Sequence, residues 1–233
     1  MSFTVTNLEF SMGMKSNRQH KIGMDQWWTG LLSLSMFILI TACQGNTFNP
    51  KWIKDKAPEE FTIRFETTKG QFDVRVHKAW SPQAVDRLYQ LVKHKYYDYA
   101  IFYRVTEDFV AQFGSSNRLL TSQWMAYPVP DEPVLQPNKR GTLTFARAGK
   151  DDRGSALFIN LADNPKLDTT EVLGVRGYPP LGEVIKGMDV VDQLYDIYGE
   201  DLMQELDRMY TDRNGFMQAF PGLDYIKEVK LVE

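Results

Sequence analysis

Two alternating runs on either side of a glycine turn commit the middle of this chain to β structure. Phe61, Ile63 and Phe65 alternate with polar residues, Thr68-Lys69-Gly70 interrupts the pattern, and Phe72, Val74 and Val76 resume it. A period of two places these six apolar side chains on one face of paired strands, so the segment predicts a half-buried hairpin. An isolated hairpin is marginally stable in water, so further strands must cover that face. The aromatic-rich segment Ile101 to Gly114 supplies more extended chain, and Tyr225, Lys227, Val229 and Leu231 lead a closing strand of about 224 to 232. Such a strand would complete a barrel and remove an open edge.

Helical signals are fewer. Ser81-Pro82 reads as an N-cap followed by proline at the first helical position, and Val85, Leu88, Leu91 and Val92 recur at helical spacing, predicting a helix of roughly 81 to 95. Leu202, Leu206 and Met209 make Glu200 to Arg213 an amphipathic stretch, read as a packed appendage. The body is therefore mostly β.

Charge and composition exclude several functions. With 27 Lys+Arg against 30 Asp+Glu the net charge is -3, which provides no basic field for a nucleic-acid backbone. A single cysteine rules out an internal disulfide framework and a multi-cysteine zinc site. His20, His77 and His94 share no ligand-like spacing, so neither metal nor cofactor is expected. His77 ends a strand and His94 lies near a helix C-terminus, where an imidazolium would meet the negative end of the dipole; both read as structural.

The N-terminus reads as an export address. Thr29 to Ala42 is apolar but too short to span a bilayer, which takes about 18 residues or more. Lys15, Arg18 and Lys21 precede it, and the order Leu39-Ile40-Thr41-Ala42-Cys43 follows at its end. That order resembles the bacterial lipobox, which implies lipidation at Cys43 and removal of residues 1–42 as a signal peptide. Met12, Met14 and Met24 are alternative starts; the first dozen residues read as an extension of the true start, and a start at Met14 keeps all three basic residues. Gln44, by resemblance to the lipoprotein sorting rule, favours the outer membrane. Residues 43–60 are polar and read as a tether ahead of a 61–233 domain, with Trp52 placed to dock on it.

The most informative segment is Ile101-Phe102-Tyr103-Arg104-Val105-Thr106-Glu107-Asp108-Phe109-Val110-Ala111-Gln112-Phe113-Gly114. It resembles the signature of the cyclophilin family of peptidyl-prolyl isomerases, keeping Phe102, Arg104, Phe109 and Gln112, with Tyr103 in place of His and Phe113 in place of the first Gly. Three later blocks agree in order: Gly141 to Gly149, Arg153 to Ile159, and Pro180 to Val191. The resemblance covers about Phe61 to Tyr198. It implies a closed antiparallel barrel of about eight strands with two flanking helices, to which this chain adds a C-terminal helical segment.

The resemblance also implies roles. Arg104, Gln112 and Phe109 match catalytic positions, and Val110, Phe158 and Leu167 match the apolar floor that receives a proline ring. Ala146 and Arg147 match the residues whose main chain aligns the peptide. The implied partners are proline-containing polypeptides and, through the lipid, a membrane; the implied protein is a monomer facing the periplasm. Several positions depart from the pattern: Arg147 replaces an Asn, Ala156 a Gln, and Lys166 the tryptophan of the cyclosporin site in many eukaryotic members, while Tyr178 falls near the pocket His. A non-catalytic module that binds proline segments in the same groove is the alternative reading.

Overall fold

The computed structural model describes residues 48–115 and 117–232. The expected signal peptide and Cys43 lie outside these residues. Among the described residues no helix is long and apolar enough to cross a membrane.

The expected hairpin forms β1 (Glu60–Thr67) and β2 (Gln71–His77), with Phe61 opposite Val76, Ile63 opposite Val74 and Phe65 opposite Phe72. The Phe65 and Phe72 rings stack at 4.7 Å. Helix α1 (Pro82–Lys93) follows and buries Val85, Leu88, Leu91 and Val92 against the sheet's apolar face. Its N-terminus differs from the expected local cap. The Ser81 hydroxyl makes no cap bond; it donates to Glu132, and that carboxylate accepts from the Gln83 and Ala84 N–H groups at 2.9 and 3.2 Å. A full negative charge at the helix N-terminus satisfies the orphan donors and complements the dipole.

The chain continues through β3 (Ile101–Thr106), β4 (Val110–Gly114), α2 (Arg118–Met125), β5 (Thr142–Phe145) and β6 (Leu157–Asn160). A small hairpin, β7 (Glu171–Val172) with β8 (Val175–Arg176), precedes β9 (Pro180–Lys186) and the one-turn α3 (Met188–Val191). The appendage forms the 3₁₀ turn Asp201–Gln204, α4 (Leu206–Thr211) and α5 (Arg213–Ala219), and the chain returns as β10 (Ile226–Val232).

Eight strands form one antiparallel sheet in the order β10-β1-β2-β9-β5-β6-β4-β3. It curls until its edges approach but does not close, which corrects the expected closed barrel. The edge strands share one isolated bridge, Ile101 with Tyr225, supported by Phe102 N–H to Asp224 O at 3.0 Å and Ile226 N–H to Ala100 O at 2.8 Å. Further pairing stops because the appendage packs a second core, Leu202, Met209, Phe216 and Leu223, onto Ile101 and Tyr103 of that edge. The helical complement also exceeds the two flanking helices expected, since α2 and α3 join α1 and the appendage.

The domain also starts earlier than Phe61. Phe48 packs edge-on to Trp124 at 5.0 Å, and Trp52 stacks on His94 at 4.0 Å, so 48–60 is docked chain where a tether was expected. Aromatic area buried against α1 and α2 outweighs the segment's polar composition. His94 also meets Asp55 at 2.9 Å, and His77 meets Glu60 at 3.0 Å and stacks on Trp80.

Candidate active site

A one-residue irregularity in β3 decides which face carries the site. Phe102 opposes Phe113 and Arg104 opposes Gln112, so Tyr103 is an extra residue in the register. Phe102 and Val105 both point into the main core, which plain alternation forbids for residues three apart. The bulge reverses the parity and aims Arg104 out of the sheet's opposite face. Gln112 opposes Phe158, and Phe158 opposes Thr144, so Arg104, Gln112, Phe158 and Thr144 form one row across β3, β4, β6 and β5.

Beside that row lies a cavity of about 260 Å³, lined by Arg104, Phe109, Val110, Gln112, Ala146, Arg147, Phe158, Leu167, Tyr178 and Met203. Arg104, Phe109, Gln112, the three apolar floor positions, Ala146, Arg147 and Tyr178 meet here, whereas Ala156 and Lys166 do not line it. Met203 is the addition, and it comes from the appendage. Lys166 is exposed beside an adjoining cavity lined by Phe109, Asn164 and Leu167.

Arg104 is held from two sides. Its Nη1 donates to Gln112 Oε1 at 3.1 Å, and its Nε donates to Glu200 Oε1 at 2.8 Å. Gln112 is buried, and its Nε2 donates to the Tyr103 hydroxyl at 3.1 Å, which fixes the amide so that its oxygen faces the guanidinium. Burial pushes the Tyr103 phenol well above its usual pKa, so it stays neutral and available as an acceptor. The guanidinium carbon lies 5.2 Å from the centroid of Phe109, at cation–π distance.

The remaining walls are pinned separately. Phe109 sits in the β3–β4 turn behind Asp108, whose φ is 55°, and its carbonyl accepts from Leu161 N–H and Asn164 Nδ2, both at 2.9 Å. Tyr178 meets Phe158 edge-on at 6.0 Å, and its N–H donates to Leu167 O at 2.8 Å. The Arg147 side chain is fully buried. Its guanidinium donates to Val175 O at 3.1 Å and to Gly177 O, lies 4.8 Å from the Tyr178 ring and pairs with Asp131 at 3.3 Å. It thus fastens the loop that carries Tyr178. Among the described residues no cluster of three His, Cys, Asp or Glu is placed to hold a metal.

Sequence reasoning missed Glu200 and Met203. Both lie beyond the motif blocks, where periodicity marked Leu202, Leu206 and Met209 as packing and gave no sign of what the polar face would touch.

A curled antiparallel sheet that presents an arginine–glutamine pair beside an aromatic cavity defines a cyclophilin-type domain. The family model described as "Cyclophilin type peptidyl-prolyl cis-trans isomerase/CLD" matches residues 62–211, and the chain belongs to that family. It is 32% identical over 137 residues to a peptidyl-prolyl cis-trans isomerase of Acinetobacter baylyi, covering 58% of this chain and 72% of the relative. It is 29% identical over 169 residues to peptidyl-prolyl cis-trans isomerase B of Escherichia coli, covering 71% and 96%. The fold is similar to a crystal structure of a cyclophilin-type peptidyl-prolyl cis-trans isomerase of Cryptosporidium parvum, with a TM-score of 0.51 and 18% identity over 75% of this chain and 98% of that one.

Proposed function

We propose that this protein catalyses cis/trans rotation of X-Pro bonds in exported proteins while anchored to the cell envelope through a lipid on Cys43. The observation that carries the catalytic part is Arg104, fixed by Gln112 at the edge of an apolar cavity. Amide resonance opposes rotation with a barrier of about 18–20 kcal/mol, and weakening that resonance needs neither nucleophile nor metal. A guanidinium N–H that bonds the prolyl nitrogen as it pyramidalises is worth more in the twisted state than in either planar one. Lowering the barrier by about 7 kcal/mol corresponds to roughly 10⁵-fold in rate.

In this reading Phe109, Val110, Phe158 and Leu167 receive the proline ring and exclude water, with Tyr178 closing the far wall. Gln112 positions Arg104 and contacts the substrate backbone. The Ala146 N–H is committed to Ala156 O at 2.9 Å, so peptide alignment there falls to the Ala146 carbonyl and the Arg147 main chain.

Activity is tested by NMR exchange between the cis and trans forms of a proline peptide. Accelerated exchange is expected; binding without acceleration would replace the enzyme with a proline-segment binding module. The envelope assignment rests on Leu39 to Cys43 in the sequence and is tested by mass spectrometry. A diacylglyceryl-modified Cys43 at the mature N-terminus is expected, and Cys43→Ala should leave an unprocessed precursor. An unmodified Cys43 in the membrane-extracted protein would sink the lipoprotein assignment.

A further inference from the structure

We propose that Glu200, supplied by the appendage, is a positioning residue for Arg104 and sets how much of the guanidinium's time is spent aimed at the prolyl nitrogen. This role rests on the isomerase reading. Arginine carries large rotamer entropy, and one bond from Nη1 to Gln112 leaves rotation about the last side-chain torsions open. Glu200 closes that freedom. Its Oε1 accepts from Arg104 Nε at 2.8 Å and lies 2.8 Å from Nη2, so the opposite edge of the guanidinium from the Gln112 bond is fixed.

The carboxylate is itself oriented. Thr106 Oγ1 donates to the same Oε1 at 3.0 Å, and Thr106 stands two residues from Arg104 on β3. Glu200 immediately precedes the turn Asp201–Gln204, whose Leu202 is buried in the second core against Ile101 and Tyr103. The next residue, Met203, lines the cavity. The appendage therefore delivers a wall and an anion to the site from one turn, and that turn is seated on the strand that carries Arg104.

Geometry also argues against Glu200 as a blocking group. It engages Nε and one N–H of Nη2 through a single oxygen, and with Gln112 taking one N–H of Nη1, each terminal nitrogen keeps a second N–H for a peptide. Glu200 is absent from the residues lining the cavity, whereas Arg104 is among them.

The test uses the intact chain with Glu200→Ala, Glu200→Gln and Arg104→Ala, singly and in combination. Glu200→Ala should lower kcat about 3- to 10-fold with KM within about two-fold, since peptide contacts remain and only the catalytic orientation is lost. Glu200→Gln keeps an acceptor and should recover part of the loss. In an Arg104→Ala background, Glu200→Ala should have no further effect on kcat, because a residue acting only through Arg104 has nothing left to position. The Arg104 Nε–H resonance should be protected from exchange in the parent and lose that protection in Glu200→Ala.

An active parent in which Glu200→Ala leaves kcat unchanged, raises it, or lowers it equally with and without Arg104 would overturn the proposal. A parent that binds proline peptides without accelerating exchange would overturn the isomerase reading instead, and the positioning role would fall with it. Thermal melting separates folding losses: Glu200 is exposed, so its variants should unfold within a few degrees of the parent.

Discussion

Replacing Arg104 by alanine should cost rate far more than peptide affinity, and replacing Phe109 should cost both. In Arg104→Ala the lost interaction is a charge-assisted hydrogen bond that forms mainly in the twisted state, worth about 1.5–3 kcal/mol. That range lowers kcat/KM about 10- to 150-fold, nearly all of it in kcat. The fold should survive the change. Gln112 Oε1 loses one donor but borders the cavity, where water can replace it, and Glu200 is already exposed, so the stability loss is about 1 kcal/mol. Phe109 is half-buried, and its ring faces the cavity in both planar and twisted states. Losing about half the burial of a phenylalanine, or about 1–1.5 kcal/mol, should weaken peptide binding about 5- to 12-fold and carry turnover efficiency down with it. NMR exchange rates at saturating enzyme, with affinities from chemical-shift titration, separate the two variants. If Arg104→Ala keeps the parent's kcat, or loses affinity as strongly as Phe109→Ala does, differential stabilisation by this arginine is the wrong mechanism.

Three further outcomes follow from the same structure. Glu132→Ala should destabilise the domain by about 3–5 kcal/mol in urea unfolding, because it strips α1 of its cap and leaves Arg153, whose side chain is 1% exposed, without its 3.0 Å carboxylate partner. Arg64→Met should weaken the fold at neutral pH, and its difference from the parent should shrink as the medium is acidified. The Arg64 hydrogen bonds hold the Asp73 carboxyl below its ordinary value, so their contribution is present above the unfolded pKa of about 3.9 and disappears as pH falls through the lower folded value; urea midpoints across that range check it. Cyclosporin should inhibit weakly, because Lys166 presents an exposed ammonium where the family resemblance places an indole, and inhibition at nanomolar concentration would show that another ring fills that place.

What could be read from the sequence and what could not divide according to the range of the interactions. The hairpin, α1 and β10 follow from local periodicity, and their apolar faces lie where the pattern places them. The residues now lining the cavity were legible as a set through the resemblance of the ordered motif blocks, since spacing alone is weak, and the register shows what part of that pattern encodes: Arg104 opposes Gln112 across a turn only a few residues long. By contrast, Glu132 caps α1 from 51 residues beyond Ser81, and Glu200 reaches Arg104 across 96. Neither partner has a local signature, since an exposed glutamate in a polar stretch looks the same whether or not it meets a guanidinium. The closed barrel failed for a related reason. Alternation along Tyr225 to Leu231 specifies a strand, but whether its free edge pairs with β3 depends on what else has packed there.

The departure at Tyr103 and the appendage are two halves of one arrangement. Tyr103 is the bulged residue, so its ring leaves the plane of the ladder on the side where Leu202, Met209 and Phe216 lie, and it is 4% exposed there. A histidine at this position would bring a polar ring against an apolar cluster and incur a desolvation cost. The phenol instead supplies apolar area to the second core and places its hydroxyl 3.1 Å from Gln112 Nε2, behind the amide that holds Arg104. Because Glu200 is attached to the same cluster through Leu202, both holds on the arginine trace back to that core, one through Tyr103 and Gln112 and the other through the turn at Asp201. Loosening the second core should therefore reach the site by two routes at once, even though only one of its residues' neighbours, Met203, borders the cavity.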